Sequence, residues 1–152
     1  MYQVNSIRGV DSVSNVLFTS KATAKGGRDG HVKSEDGLID LKLVNPGGGS
    51  KETGANPEQL FAAGYSACFD GALNLIASRE KKQIESSITA EVSLLKDETD
   101  GGFKIGVVLN AEVKGVSQEE AEQLVEKAHE FCPYSKATRG NIDVEIKTKA
   151  IS

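Results

Sequence analysis

The sequence contains no tryptophan, and aromatic residues make up only 5% of its 152 residues. Its net charge is −4, and no basic stripe carries interleaved aromatic side chains. Proteins that bind nucleic acid usually present a basic surface, often with aromatic rings on which bases stack. These absences therefore argue against nucleic acid as a partner.

Long apolar segments are also missing from the sequence. No run approaches the roughly 18 apolar residues that cross a bilayer, and the first residues, Met1 to Ser6, lack the apolar centre of a secretory signal. We therefore expect no membrane partner and a cytoplasmic location. A permanent structural disulfide is disfavoured in that compartment, whereas a transient one is allowed.

Familiar catalytic and metal-binding motifs are absent. There is no G-x-S-x-G sequence, and Gly47 to Lys51 does not match a phosphate-binding loop. The histidines, His31 and His129, have no partner at a metal-ligand spacing. His129 precedes Cys132 by one helical turn, but a surface position is the favoured interpretation. We expect no metal and no cofactor.

The pattern of the chain predicts a single α+β domain covering residues 1–152. Three short strands are expected before Asn45, then a helix capped by Asn56 and Pro57 that runs to about Arg79. A hairpin follows, and a second helix opens with a capping box and stops at Pro133. A loop and a last strand, Ile142 to Ile146, complete two helices packed against an antiparallel sheet.

The first helix is rich in alanine, glycine and serine, which predicts close packing and burial on nearly all sides. A helix of this kind suits antiparallel pairing with a second copy across a two-fold axis. A dimer is therefore expected.

Two cysteines, Cys68 and Cys132, are the chain's only thiols. They lie far apart in sequence, on the packed faces of the two predicted helices, so the fold has to bring them together. A buried cysteine alone is most simply a small core residue. Two cysteines that face one site are instead candidates for peroxide chemistry.

A reactive thiolate in a buried site needs a nearby positive charge. Cys68 lies about three turns into its helix, too deep for the helix dipole to help much. Arg28, in a glycine-rich turn, is a candidate for this charge, although a solvated turn residue is an equal alternative. Glu58 can orient such an arginine, or simply favour the helix N-terminus. Because Glu58 and Cys68 are about 15 Å apart along one helix, Glu58 can also serve another subunit's site.

Three stretches together resemble the organic hydroperoxide resistance (Ohr) branch of the OsmC/Ohr family. They are GGRDGH (residues 26–31), NPEQLFAAGYSACF (56–69) and FCPYSKATRGN (131–141). The resemblance extends from about Val16 to the end, so that residues 1–15 form an N-terminal extension. It implies an OsmC-like fold and an intertwined homodimer with two sites at the interface.

The resemblance also implies an activity and its residues. The chain is expected to be a thiol peroxidase that reduces alkyl and fatty-acid hydroperoxides, with dihydrolipoamide or a lipoylated protein as reductant. Cys68 would be the peroxidatic cysteine and Cys132 the resolving cysteine, joined in an intramolecular disulfide during turnover. Arg28 and Glu58 would match the family's arginine and glutamate, and Phe69, Leu73 and Phe131 would line an apolar pocket.

Two alternatives remain open at this stage. One is an OsmC-type peroxidase with a broader peroxide preference. The other is a non-enzymatic redox sensor or ligand-binding module, which the chain's lack of a DNA-binding motif or output domain makes the weaker of the two.

Overall fold

The computed structural model describes residues 15–152. The chain divides into two compact units, the second of which runs from Ala55 to Ser152. The single-domain organisation stays a prediction. The predicted extension, residues 1–15, lies outside the described residues except for Asn15.

The first unit contains a three-stranded antiparallel sheet. Its strands are β1 (Ala22–Lys25), β2 (His31–Ser34) and β3 (Asp40–Lys42), paired in chain order. The three expected strands are thus confirmed, although the first is shorter than the β-favouring segment that begins at Val16.

The glycine-rich turn between β1 and β2 is a short 3₁₀ helix, Gly27–Asp29. Gly26 has a φ of 80°, in the left-handed region where a side chain is disfavoured. A Cβ at Gly30 would lie 1.8 Å from the carbonyl oxygen of Lys25, so only glycine fits there. These requirements explain the sequence on either side of Arg28.

The second unit contains three helices and a three-stranded sheet. Its elements are α1 (Pro57–Arg79), β4 (Glu85–Lys96), β5 (Phe103–Lys114), α2 (Gln118–Phe131), α3 (Pro133–Thr138) and β6 (Val144–Ile151). The predicted α+β class is confirmed. The expected hairpin is β4 and β5, which pair antiparallel from Glu85↔Lys114 to Lys96↔Phe103.

The last strand departs from the expected antiparallel arrangement. β6 pairs parallel with β5, from Val107↔Val144 to Lys114↔Ile151, so this sheet is mixed. The chain crosses over through α2 and α3 before it returns to the sheet, and such a crossover joins parallel strands. The predicted wholly antiparallel sheet is therefore wrong at this strand.

Local signals correctly placed both long helices. The Asn56 side chain accepts a 2.8 Å hydrogen bond from the Gln59 backbone, with Pro57 as the first helical residue. Ser117 and Glu120 form the predicted capping box of α2. The predicted apolar face of α2 is buried throughout, and its members are Ala121, Leu124, Val125, Ala128 and Cys132.

The predicted burial of α1 on nearly all sides is wrong for the described chain. One face packs into the core through Tyr65, Phe69, Ala72, Leu73 and Ala77. Gly71 is exposed on another face, and Leu75 is 39% exposed. The second unit supplies neighbours on one side of α1 only, since the helix packs mainly against β4 and α2.

By length and composition alone, α1 is long and apolar enough to cross a membrane. The expectation from the sequence concerned uninterrupted apolar runs and is not contradicted, because α1 contains Asp70 and Asn74. Core helices of soluble proteins meet the same criterion, and α1 contributes five residues to a protein core.

Candidate active site

The two cysteines meet in the second unit. The Sγ atoms of Cys68 and Cys132 are 3.7 Å apart, and both thiols are free. Cys68 is partly buried on α1, and Cys132 is fully buried at the junction of α2 and α3. A disulfide bond is about 2.05 Å long, so a closing movement of under about 2 Å would join them.

The surroundings of Cys68 act on its ionisation in opposite directions. Burial is the largest influence and raises the pKa of the Cys68 thiol, whereas a hydrogen bond from the backbone of Tyr134 lowers it. The neighbouring Cys132 thiol raises the pKa of Cys68 further. Because burial and the second thiol both oppose ionisation of Cys68, the second unit alone does not favour a Cys68 thiolate at neutral pH.

Pro133 stops α2, as predicted, but the expected loop after it is wrong. Cys132 serves both as the C-cap of α2 and as the N-cap of α3, which starts at Pro133. Proline is well suited to a first helical position because it has no N–H to leave unpaired. The new helix aims the backbone of Tyr134 at Cys68.

The ring of Tyr134 lies in a notch made by Gly64 on α1. A Cβ at Gly64 would lie 2.4 Å from the Tyr134 hydroxyl oxygen and 3.0 Å from the ring carbon that bears it. The ring also contacts Tyr65 and Phe61, with centroid separations of 5.6 and 6.0 Å. Glycine at this position therefore allows α3 to lie close to Cys68.

Gly64→Ala is expected to lower the free energy of unfolding by about 1–3 kcal/mol relative to Gly71→Ala, because the Tyr134 ring has to shift. Gly71→Ala is a matched control on the same helix. Its Cβ would meet nothing within 4 Å, so it retains only the gain in helix propensity. Urea denaturation of both variants measures the difference, and equal stabilities would contradict the close packing of Tyr134 on α1.

Beneath Cys132 lies a group of hydrogen-bonded side chains from three helices. The Tyr65 hydroxyl is 2.9 Å from the hydroxyl of Ser135 and 3.2 Å from that of Thr138. His129 Nδ1 is 2.8 Å from the Ser135 hydroxyl. The surface position expected for His129 is wrong: the ring is partly buried, which lowers its pKa.

The other predicted residues lie as follows. Arg28 is in the 3₁₀ turn of the first unit, and Glu58 is in the first turn of α1 in the second. Their functional roles stay predictions. Of the predicted pocket residues, Phe69 and Leu73 are fully buried in the core, whereas Phe131 is 39% exposed and lies under the Arg79 guanidinium.

Sequence reasoning missed the roles of Tyr65, Ser135 and Tyr134. The spacing offered a signal, because Tyr65 and Ser135 each lie one helical turn from a cysteine. The spacing of Ser135 from Cys132 is informative only within a helix, and residues 134–140 were predicted to form a loop. Within residues 15–152, no group of three or more His, Cys, Asp or Glu side chains is arranged to hold a metal ion.

Comparison with known proteins supports the class that the fold indicates. Residues 47–147 match the family model described as OsmC-like protein. Organic hydroperoxide resistance protein OhrB of Bacillus subtilis is 57% identical over 134 residues, which cover 88% of this chain and 98% of that relative. OhrA of the same organism is 53% identical over 138 residues, with coverage of 89% and 98%.

Solved structures agree with the sequence comparison. The crystal structure of B. subtilis OhrB matches with a TM-score of 0.85 and 56% identity, covering 88% of this chain and all of that one. The α+β fold and the family match place this protein among the OsmC-like proteins. Within that class, the chain belongs to the organic hydroperoxide resistance branch of the OsmC/Ohr family.

Proposed function

We propose that this protein is a thiol peroxidase that reduces organic hydroperoxides to alcohols. The observation that carries the proposal is the 3.7 Å separation of two free thiols contributed by different helices. The names of its relatives, organic hydroperoxide resistance proteins, support the substrate class.

In the first step, the Cys68 thiolate attacks the distal oxygen of the hydroperoxide. The O–O bond breaks, an S–O bond forms, and the departing alkoxide takes up a proton to become an alcohol. Cys68 is left as a sulfenic acid. The raised pKa of Cys68 means that this step needs a positive charge, and we assign that role to Arg28, oriented by Glu58, as the family resemblance implies.

In the second step, the sulfur of Cys132 attacks the sulfenic sulfur of Cys68. An S–S bond forms, the S–O bond breaks, and the hydroxide that leaves takes the Cys132 proton and becomes water. The fully buried position of Cys132 protects it from direct oxidation before this step. A dithiol donor then reduces the disulfide, and dihydrolipoamide or a lipoylated protein is the donor that the resemblance implies.

The aromatic side chains near the thiols favour an apolar substrate. Tyr134 adjoins Cys68, and its ring belongs to a cluster with Phe61 and Tyr65. The binding of an alkyl or aryl group is stabilised when that group leaves water for such an apolar surface. Hydrogen peroxide has no apolar part and lacks this stabilisation. Of these rings, only Tyr134 and Phe61 are accessible, and they replace Phe69 and Leu73 in the proposed substrate contact, whereas Tyr65 is fully buried.

The test is a steady-state comparison of cumene hydroperoxide with hydrogen peroxide, with dihydrolipoamide as reductant. We expect kcat/KM to be about 100-fold higher for cumene hydroperoxide, which corresponds to about 3 kcal/mol of apolar binding in the transition state. Equal values would instead support the broader peroxidase. Oxidation of the thiols without turnover by any dithiol donor would support a redox sensor.

The cytoplasmic location and the homodimer also remain proposals. The exposed face of α1 around Gly71 agrees with helix pairing between two copies, and Glu58 would then be able to reach the partner's site.

A further inference from the structure

The hydrogen-bonded side chains beneath Cys132 join every helix that shapes the thiol site. Tyr65 is on α1, one turn before Cys68. His129 is in the last turn of α2, one turn before Cys132. Ser135 and Thr138 are on α3. We refer to Tyr65, His129, Ser135 and Thr138 together as the hydroxyl network.

The donor and the acceptor of each hydrogen bond in the hydroxyl network can be assigned by counting the available hydrogens. The Thr138 hydroxyl donates to the Ser135 carbonyl at 3.1 Å, so towards Tyr65 it can only accept. Tyr65 therefore donates to Thr138, and its oxygen accepts from the Ser135 hydroxyl. Because the Ser135 hydroxyl already donates its hydrogen to Tyr65, its oxygen accepts a hydrogen bond from His129. The Nδ1 atom of His129 must therefore carry a hydrogen.

This assignment satisfies every bond with one proton per hydroxyl. It also makes His129 a donor whether the ring is neutral or protonated, so the hydroxyl network persists in both charge states. Arg139 also links the residue after α3 to the last turn of α2, because its guanidinium donates a 2.6 Å hydrogen bond to the His129 carbonyl.

The three hydroxyls of the network are buried, and His129 is partly buried. Tyr65 and Ser135 are completely inaccessible, and Thr138 is 4% exposed. Buried hydroxyls contribute little net stability compared with apolar side chains of the same shape, but they are costly when left unpaired. A paired network therefore restricts its helices to the arrangement in which all of its bonds are made.

We propose that the hydroxyl network is a positioning device for disulfide formation, holding Cys132 on the α2–α3 junction within reach of Cys68. The inference rests on the proposed peroxidase function. Among the described residues, no side chain of the network is hydrogen-bonded to either reacting sulfur, and the two thiols contact each other. The side chains of the network act through the helices, one turn away from each thiol.

The proposal predicts a specific defect. The Cys68 sulfenic acid either receives the Cys132 sulfur, losing water, or reacts with a second hydroperoxide to give a sulfinic acid and another alcohol. A looser α2–α3 junction slows only the first of these reactions. Cys68 should then react normally with the first hydroperoxide but become overoxidised more often.

The experiment uses four variants of the hydroxyl network and one stability control, all in the full chain. Tyr65→Phe and Ser135→Ala each remove one hydroxyl from the network. His129→Ala removes a donor, whereas His129→Asn retains an amide N–H close to the position of Nδ1. Val113→Ala is the stability control, because it opens a cavity in the core under β5 without removing a polar group.

Stopped-flow measurements with one equivalent of cumene hydroperoxide separate the two steps, and mass spectrometry after treatment with an excess quantifies disulfide and sulfinic acid. We expect Tyr65→Phe, Ser135→Ala and His129→Ala to form the disulfide about tenfold more slowly, consistent with the loss of one or two buried hydrogen bonds. Oxidation of Cys68 should stay within about twofold of the wild-type rate. His129→Asn should restore disulfide formation.

Several outcomes would overturn the inference. Disulfide formation at the wild-type rate in stable Tyr65→Phe and His129→Ala variants would do so. An equal slowing in Val113→Ala would show that general loss of stability is responsible. Failure of wild-type Cys68 to consume hydroperoxide would instead refute the proposed function, so the two failures are distinguishable.

Discussion

Cys68→Ser is expected to abolish hydroperoxide reduction, lowering kcat/KM for cumene hydroperoxide by at least about 10³-fold. A serine hydroxyl has nearly the same size but is not ionised at neutral pH, so the variant lacks the thiolate that attacks the peroxide oxygen. The side chain is only partly buried, so the fold should be retained. The measurement is steady-state consumption of hydroperoxide with dihydrolipoamide as reductant.

Thermal denaturation provides the control for this variant, since an unchanged transition assigns the loss to chemistry rather than to folding. Full turnover by a folded Cys68→Ser protein would show that another residue carries the reaction. The Cys132 thiol, which is fully buried, is not expected to substitute for it.

Cys132→Ser is expected to consume about one equivalent of hydroperoxide per site and then to stall or to become overoxidised. The first step needs only Cys68, whereas the return to the reduced state needs the second sulfur 3.7 Å away. Because a serine oxygen cannot form the disulfide, the Cys68 sulfenic acid accumulates and then reacts with further hydroperoxide. We expect multiple turnover to fall by about 10²-fold or more, with external thiols supplying any remainder.

Dimedone labelling detects the trapped sulfenic acid, and mass spectrometry follows its conversion to the sulfinic acid. The wild-type protein treated in parallel should show disulfide and little dimedone adduct. If Cys132→Ser turned over at the wild-type rate with dihydrolipoamide, the donor would be reducing the sulfenic acid directly, and Cys132 would have no resolving role.

The two variants also differ in their expected effect on ionisation. Removing the Cys132 thiol removes one of the influences that raise the pKa of Cys68. The first step in Cys132→Ser should therefore be as fast as in the wild type, or faster, at neutral pH. This makes the variant a useful background in which to measure the peroxidatic step alone.

The long elements of this chain were predictable from local sequence. Asn56, Pro57 and the Ser117–Glu120 pair mark helix starts because their bonds are made within a few residues. Alternation likewise revealed the β4–β5 hairpin, in which one face is turned to the core. The short helix α3 was missed because a proline that ends one helix can also begin the next.

The sequence by itself determined the family, the two thiols and the helices that carry them. These follow from residue identity and from interactions between near neighbours along the chain. Only the tertiary structure decided that the sulfurs lie 3.7 Å apart, that β6 runs parallel to β5, and that Tyr134 lies against Gly64. The tertiary structure also brings the Tyr65 hydroxyl within hydrogen-bonding distance of Ser135, 70 positions away in sequence. Each of these contacts depends on how α1, α2 and the sheet pack, which no local pattern specifies.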